Sequence, residues 1–265
     1  MNIEHSKIPT VHILLSLRHP ELLRAATLVF DTLRVGFPTA YVVVHPNEMH
    51  DLGVMWPQIQ RALDAAAVNE VRPRRQTIHH EYIEDLLSVG EDPIVLLDTD
   101  VCLWGKVEDW DFGDVPMAGR YTPAFRCKFA NAITTPRLHT SCLFVNPVKL
   151  REAVGTYLKQ FPDTPFTPKQ NLIYPCYYAL RDRAKVTTYF SDTMGLMYAA
   201  IGGVSFNEQQ MDALDHLHFA TISDIICAYY PENHWRENHF AVFENPKLLK
   251  GAWRMQEEFY RANAV

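Results

Sequence analysis

Pro93-Ile-Val-Leu-Leu-Asp-Thr-Asp-Val101 is the stretch on which the reading of this chain turns. The apolar run Ile94–Leu97 is short, continuous and half β-branched, which reads as a strand buried on both faces. It ends on two aspartates two apart. On extended chain, side chains at i and i+2 point to the same side, so Asp98 and Asp100 can face one hard cation. A divalent ion held by carboxylates and substrate phosphates is the usual magnesium arrangement, and manganese accepts the same oxygen ligands. A second Asp-x-Asp, Asp109-Trp110-Asp111, has no buried strand before it. It sits among Trp, Gly and acids and reads as a solvated turn.

Outward from that strand the first half alternates two periodicities. Val11–Leu15 is a short apolar run, and Ala40–Val44 is another, rich in valine. Between them apolar residues at 22, 23, 26, 29, 30 and 33 make one helical stripe, with Pro20 in its first turn, Glu21 at its positive end and Gly36 to close it. Further helices are expected through Ile59, Leu63 and Ala66, and around Ile83, Leu86 and Leu87 up to Gly90. Continuous apolar strands separated by helices predict a parallel sheet covered on both faces. In such sheets ligands bind beyond the carboxyl ends of the strands, here residues 16–19, 45–47 and 98–101. No G-x-G-x-x-G follows the first strand and no G-x-x-x-x-G-K-[ST] occurs, which argues against a dinucleotide oxidoreductase and a P-loop phosphotransferase.

The second half is less regular. Leu143–Asn146 reads as a strand and Val148–Phe161 as an amphipathic helix. Residues 162–175 form a Pro-rich connection, and Asp192–Ile201 is a helix stopped by Gly202-Gly203. Leu214–Ala220 is strand-like, and Lys247–Arg261 is a closing helix with Trp253 on its buried side. The run from His234 to Phe240 is too irregular for a metal site and reads as packing. No repeat, low-complexity tract or long linker divides the chain, so one domain is expected.

Composition sets bounds on partners. Of 265 residues, 25 are Lys or Arg and 31 Asp or Glu, a formal charge of −6, and 48% are hydrophobic. That is a globular composition rather than a disordered one. It also argues against a dedicated nucleic-acid coat, which needs excess base. The five cysteines include no C-x-x-C pair, so they read as reduced thiols. The first apolar run is too short for a membrane span or secretory core. The expected location is the cytoplasm, without integral membrane association.

At this point the chain resembles a family, the nucleotide-sugar-dependent glycosyltransferases of the GT-A fold. It is closest to the group of glycogenin and the bacterial lipooligosaccharide galactosyltransferases. The D-x-D at 98–100 follows an apolar strand. About forty residues on, His139-Thr-Ser-Cys-Leu-Phe-Val-Asn146 is similar to the family's strand that touches the donor sugar. Tyr189-Phe-Ser-Asp192-Thr193 stands where the family has an aspartate–glutamine pair before a helix, and Asp215-His-Leu-His218-Phe-Ala where a late histidine completes the metal site. The likeness covers residues 11–222. Ser141-Cys142 replaces Ser-Gly and Thr193 replaces the glutamine. The family's lysine motif after the late histidine is absent, so a diphosphate partner must come from elsewhere.

The resemblance implies an α/β, single GT-A domain over 1–265: Rossmann-like, a mostly parallel sheet with flanking helices. Residues 11–101 form the nucleotide-sugar-binding half, 102–222 the metal-completing and acceptor half, and 223–265 a C-terminal closing segment. It implies a UDP-sugar donor and a Mn2+ or Mg2+ ion on Asp98, Asp100 and His218, with His216 the competing ligand and Asp98 shared with the ribose. Asp192 positions sugar hydroxyls or stabilises positive charge at the anomeric carbon; it equally suits a helix N-cap. Thr140 and Ser141 contact the donor sugar. Ser16 and Arg18 line the base or phosphate. The segment Arg72-Pro-Arg-Arg75…His79-His80 helps hold the donor, with Arg75 and His79 foremost. The acceptor is a saccharide, with a hydroxylated base in DNA as the alternative. In that case Arg120, Arg126, Lys128 and Arg137 are the candidate contacts to an anionic acceptor. A nucleotidyltransferase is the competing class of enzyme. Those enzymes carry a Gly-rich loop after the first strand, and this chain has Ser16-Leu-Arg-His-Pro there. The remaining reading is a non-catalytic nucleotide-sugar-binding protein.

Overall fold

A computed structural model describes residues 8–15, 22–47, 56–74, 79–99, 101–124, 126–127, 132–133, 136–161, 192–216 and 252–264. Within them the strands are β1 (Thr10–Leu15), β2 (Val42–Pro46), β3 (Glu70–Val71), β4 (Ile94–Leu97), β5 (Val101–Leu103), β6 (Met117–Thr122), β7 (Arg126–Cys127), β8 (Ala132–Ile133), β9 (Arg137–Val145), β10 (Val204–Ser205) and β11 (Leu214–His216). The helices are α1 (Leu22–Gly36), α2 (Trp56–Ala65), α3 (His79–Val89), α4 (Pro147–Gln160), α5 (Asp192–Ile201), α6 (Glu208–Ala213) and α7 (Ala252–Ala262).

Seven strands form one sheet in the order β10-β6-β9-β4-β1-β2-β3. β1 pairs in parallel with β2 on one side and β4 on the other, β3 joins β2 in parallel, and β10 joins β6 in parallel. Only β9 runs the other way, antiparallel to both β4 and β6. The mostly parallel sheet expected from the continuous apolar runs is thus observed, with one reversed strand in its middle.

Alternation along the strands feeds two apolar layers. Val11, Ile13 and Leu15 of β1 join Val29, Phe30 and Leu33 of α1, Ile59 and Leu63 of α2 and Trp253 of α7. Leu14 of β1 and Leu96 of β4 point the other way and join Tyr82, Ile83 and Leu87 of α3, Leu150 and Val154 of α4 and Met197 of α5. Both faces are covered, which is why these strands carry no polar alternation.

Helix ends follow local chemistry. The Asn146 side chain accepts from Lys149 N–H at 3.2 Å, with Pro147 behind it, so α4 starts where Pro can no longer break it. Asn207 and Gln210 make a reciprocal capping box on α6. Arg34, in the last turn of α1, donates to Ala66 O at 2.8 Å, Phe37 O at 3.0 Å and Ala40 O at 2.9 Å, tying α1 to the end of α2. Glu108 is buried and accepts from Thr39 N, Ala40 N and Thr39 Oγ1, which fixes the turn into β2. Gly202 closes α5 at φ +68°; Gly203 follows at φ +94°, and a Cβ there would stand 3.0 Å from Met117 O and 2.8 Å from Leu138 Cδ1.

Several expectations shift. The second strand starts at Val42, two residues late, and runs on to Pro46. Gly36 is the last helical residue of α1 rather than a cap beyond it. The strand expected at 214–220 is described over Leu214–His216, and a short helix the sequence did not suggest, α6, feeds it. The C-terminal helix is described from Ala252, and Trp253 is buried in it as expected. The Pro-rich segment 162–175 and the His/aromatic run 234–240 lie outside the described residues. Cys102 and Cys142 are buried thiols. Among the described residues no helix is long and apolar enough to cross a membrane.

Candidate functional site

Strand order reverses about β1, which has β2 on one side and β4 on the other. The crevice beyond the carboxyl ends of β1 and β4 is therefore where an open α/β sheet receives its ligand. Asp98 is the first residue beyond β4 and stands at that edge. Its backbone N–H donates to Ser141 O at 2.9 Å, which extends the β4–β9 ladder by one step. Its carboxylate accepts from Thr140 Oγ1 at 3.2 Å. The two expected donor-sugar residues thus flank the first aspartate.

A register step puts them there. Gly119 of β6 faces Leu143 of β9, but the next residue, Arg120, faces His139, so Thr140, Ser141 and Cys142 have no partner on β6. A bulge of this kind re-aims side chains and is common beside functional sites. Ser141 N–H donates to His139 Nδ1 at 3.1 Å, closing the bulge locally. Ser141 is fully buried and its Oγ has no hydrogen-bond partner.

On the other face, β11 lies antiparallel on β5, with His216 opposite Val101 and Asp215 opposite Cys102. The backbone of the late histidine segment is therefore hydrogen-bonded beside the residue that follows Asp100. Asp192 is the first residue of α5, as expected. His79 begins α3. Ser16, Arg18, Arg75, Asp100 and His218 lie outside the described residues. Among the described residues no three His, Cys, Asp or Glu side chains cluster as a metal site.

Behind Asp98, under α3, is a polar group that the sequence reading did not single out. His12 Nδ1 and His45 Nε2 are 3.1 Å apart, their rings stacked with centroids 5.4 Å apart. Arg74 Nε donates to His45 Nδ1 at 3.4 Å, so the His45 proton sits on Nε2 and donates to His12. Burial first, then the neighbouring charges of Arg72 and Arg74, lowers His12 to about 4. Burial, His12 and the same arginines lower His45 to about 3. The Tyr82 ring meets His45 edge-on, and the Arg74 guanidinium lies 5.2 Å from its centroid. Arg74 is held from outside by Asp85 at 2.7 Å. No metal-like spacing or motif marks these residues; Tyr82 reads as one apolar position of the α3 stripe.

One basic candidate is corrected. Arg120 is buried, only 2% exposed, and donates to Gln256 Oε1 and, at 3.2 Å, to Glu257 Oε1 of α7, with its guanidinium over the Tyr260 ring. It binds the C-terminal helix to the sheet and is not available to an anionic acceptor. A charged side chain reads as exposed until its partners, 136 residues away, are known. Arg137 is half-buried at the start of β9, Arg126 begins β7, and Lys128 lies outside the described residues. The second D-x-D behaves as a turn: Asp109 is exposed and paired with Lys106, while Trp110 packs on Phe112 and Phe206.

The described chain is an α/β protein with a carboxylate at the ligand edge of a mostly parallel sheet. No family model matches it, and no curated protein matches it. Among solved structures it is similar to the glycosyltransferase GlyE of Streptococcus pneumoniae, with a TM-score of 0.43 and 13% identity over 86% of this chain and 51% of that one. It is similar to the galactosyltransferase LgtC, solved with donor and acceptor sugar analogues, with a TM-score of 0.41 and 13% identity over 76% of this chain and 74% of that one. A cytidylyltransferase from Leptospira borgpetersenii matches with a TM-score of 0.40 and 12% identity over 92% of this chain and 97% of that one. The chain spans about half the length of GlyE. Likeness at this level carries no statement about activity.

Proposed function

We propose that the chain is a glycosyltransferase that moves a sugar from a nucleotide-diphosphate donor, UDP-linked, to a hydroxyl of an acceptor saccharide, with retention at the anomeric carbon. The observation that carries the reading is the meeting of three distant segments at one sheet edge. Asp98 follows β4, Thr140 and Ser141 come to it through the β9 bulge, and β11 brings His216 beside the strand that follows Asp100. These are the segments that the resemblance marks as metal- and sugar-binding.

The donor set fits a hard divalent cation. Asp98 and Asp100 supply carboxylate oxygens, and a histidine of the 216–218 segment supplies nitrogen, a set that Mn2+ and Mg2+ accept. When bound, the ion stabilises the charge that builds on the departing diphosphate. Thr140 holds the Asp98 carboxylate in one orientation, so it need not reorganise when the donor arrives. Asp192 lies at the N-terminal end of α5 and is the candidate for sugar hydroxyls. Ser16, Arg18, Arg75 and His79 are the candidates for base and diphosphate.

A screen of nucleotide sugars by thermal shift, with and without Mn2+, tests this. The right donor at a hundred times its Kd stabilises by about 2.7 kcal/mol, and chelator removes the effect. Asp100→Ala abolishes donor hydrolysis and transfer. Undiminished turnover in that variant refutes the metal role.

A further inference from the structure

Tyr82 carries a hydroxyl that has no hydrogen-bond partner among the described residues. The residue is only 2% exposed, and Oη accepts and donates no hydrogen bond. Two neighbours clamp the ring: His45 edge-on, with centroids 5.2 Å apart at 62°, and the Arg74 guanidinium over its face. The hydroxyl therefore cannot swing out to water. A buried phenol in this state is costly, and a ligand group that pairs with it recovers that cost.

Its surroundings say where that partner sits. Leu96 lies in the apolar layer that contains Tyr82, and Asp98, two residues on where the ladder with β9 continues past β4, falls on the same face. Leu143 lies in that layer too, and Ser141, two residues earlier on β9, pairs with Asp98. Ser141 Oγ is likewise a buried hydroxyl without a partner among the described residues, as is Thr122 Oγ1 at the end of β6. Burial pushes the Tyr82 phenol up, the Arg74 guanidinium opposes it and the Asp98 carboxylate adds to it, so Asp98 lies within electrostatic reach of the ring. A phenol carries one O–H to donate. Two neutral hydroxyls around a carboxylate suit groups that both donate and accept.

We propose that the Tyr82 hydroxyl is a specificity-determining contact for the sugar of the donor, donating a hydrogen bond to a sugar oxygen held beside Asp98. The inference rests on the donor-site reading above. It adds a residue that acts on the sugar and not on the nucleotide.

The test compares wild type with Tyr82→Phe by calorimetric titration in Mn2+. The probes are UDP and GDP on one hand, and UDP-glucose, UDP-galactose, UDP-N-acetylglucosamine and GDP-mannose on the other. The quantity read is the ratio of the nucleoside diphosphate Kd to that of its best sugar conjugate. Tyr82→Phe lowers the ratio about tenfold. It leaves the diphosphate Kd within about twofold, since that part of the donor does not meet the ring. The unliganded variant melts at the wild-type temperature or up to about 4 °C above it, because an unpaired buried hydroxyl has been removed. An unchanged ratio overturns the proposal. So does a lower melting temperature with equal weakening of diphosphate and conjugate, which marks a structural hydroxyl. If wild type binds none of the six, the donor-site reading itself fails, an outcome distinct from either.

Discussion

Acid should destabilise this protein through His12 and His45 more than through any ordinary surface histidine. Both rings are buried, 8% and 1% exposed, and share one hydrogen bond. Arg74 fixes the proton of His45 on Nε2, so a proton added to His12 Nδ1 would face another N–H at 3.1 Å. The groups around the pair are Arg72 and Arg74, which oppose protonation, and Glu70, which favours it but is weaker than burial in both cases. The folded pKa values, about 4 and about 3, lie below the 6.5 of a free imidazole. The unfolded chain therefore binds protons that the folded chain refuses as pH falls below 6.5. The stabilisation is complete above that value and is lost as pH falls through the folded values of about 4 and about 3.

At pH 5 the unfolded imidazoles are almost fully protonated and the folded ones are not. Linkage then gives a loss of about 2 kcal/mol for each ring, or about 4 kcal/mol for both. The chain has 12 histidines and many carboxylates, so the pair must be isolated by difference. The variant His12→Leu/His45→Phe removes both titrating groups and keeps an aromatic ring against Tyr82. Urea unfolding at pH 7.5 and pH 5.0, followed by tryptophan fluorescence, gives the free energy of each protein. Wild type should lose about 4 kcal/mol more than the variant across that interval. Equal losses would refute the assignment, since they would mean the two rings either titrate normally or stay neutral in both states.

Two further substitutions test the scaffold. Arg120→Ala removes the buried cation that ties α7 to β6 and should cost about 3 kcal/mol in urea unfolding, with limited proteolysis cutting first at the C-terminal helix; a loss below about 1 kcal/mol would show that the helix is held by Trp253 and Tyr260 alone. Gly203→Ala forces a side chain onto φ +94° and against Met117 O. It should cost about 2 kcal/mol by the same assay without altering the pH dependence above.

The parallel core was legible because β1, β2 and β4 are short, continuous and apolar, and because α1, α2 and α4 show clear stripes. The edge of the sheet was not. β6 reads Met-Ala-Gly-Arg-Tyr-Thr, which has no apolar run, and its glycine and arginine argue against a buried strand. Yet Gly119 is where Leu143 of the neighbouring strand packs closely, and Arg120 is neutralised from α7. Both facts depend on contacts remote in sequence. β3, β5 and β10 have two or three residues each, below the length at which periodicity carries a signal. The site divided in the same way. Asp98, Thr140 and Ser141 stood out through the strand end and the motif order. Tyr82 did not, because a tyrosine in an apolar stripe looks like core until its hydroxyl is found without a partner.

The reversed strand explains why the site forms at this edge. β4 has four residues and pairs with residues 142–145 of β9, so residues 137–141 of β9 run on past the carboxyl end of β4. A parallel strand of the same length would spend that overhang at the opposite end of the sheet. The antiparallel direction turns it into a wall beside Asp98, and β6 lines its outer side by pairing Arg120, Tyr121 and Thr122 with residues 139, 138 and 137. That overhang has no β4 partner on its inner side. Its rigidity must come from elsewhere, and the α7 contacts of Arg120 supply it from behind. The C-terminal helix therefore supports the site although it begins 34 residues beyond the 98–218 span that contains every candidate aspartate and histidine of the metal reading. The overall charge of −6 says little about such an edge, where one carboxylate, two neutral hydroxyls and a buried arginine set the field.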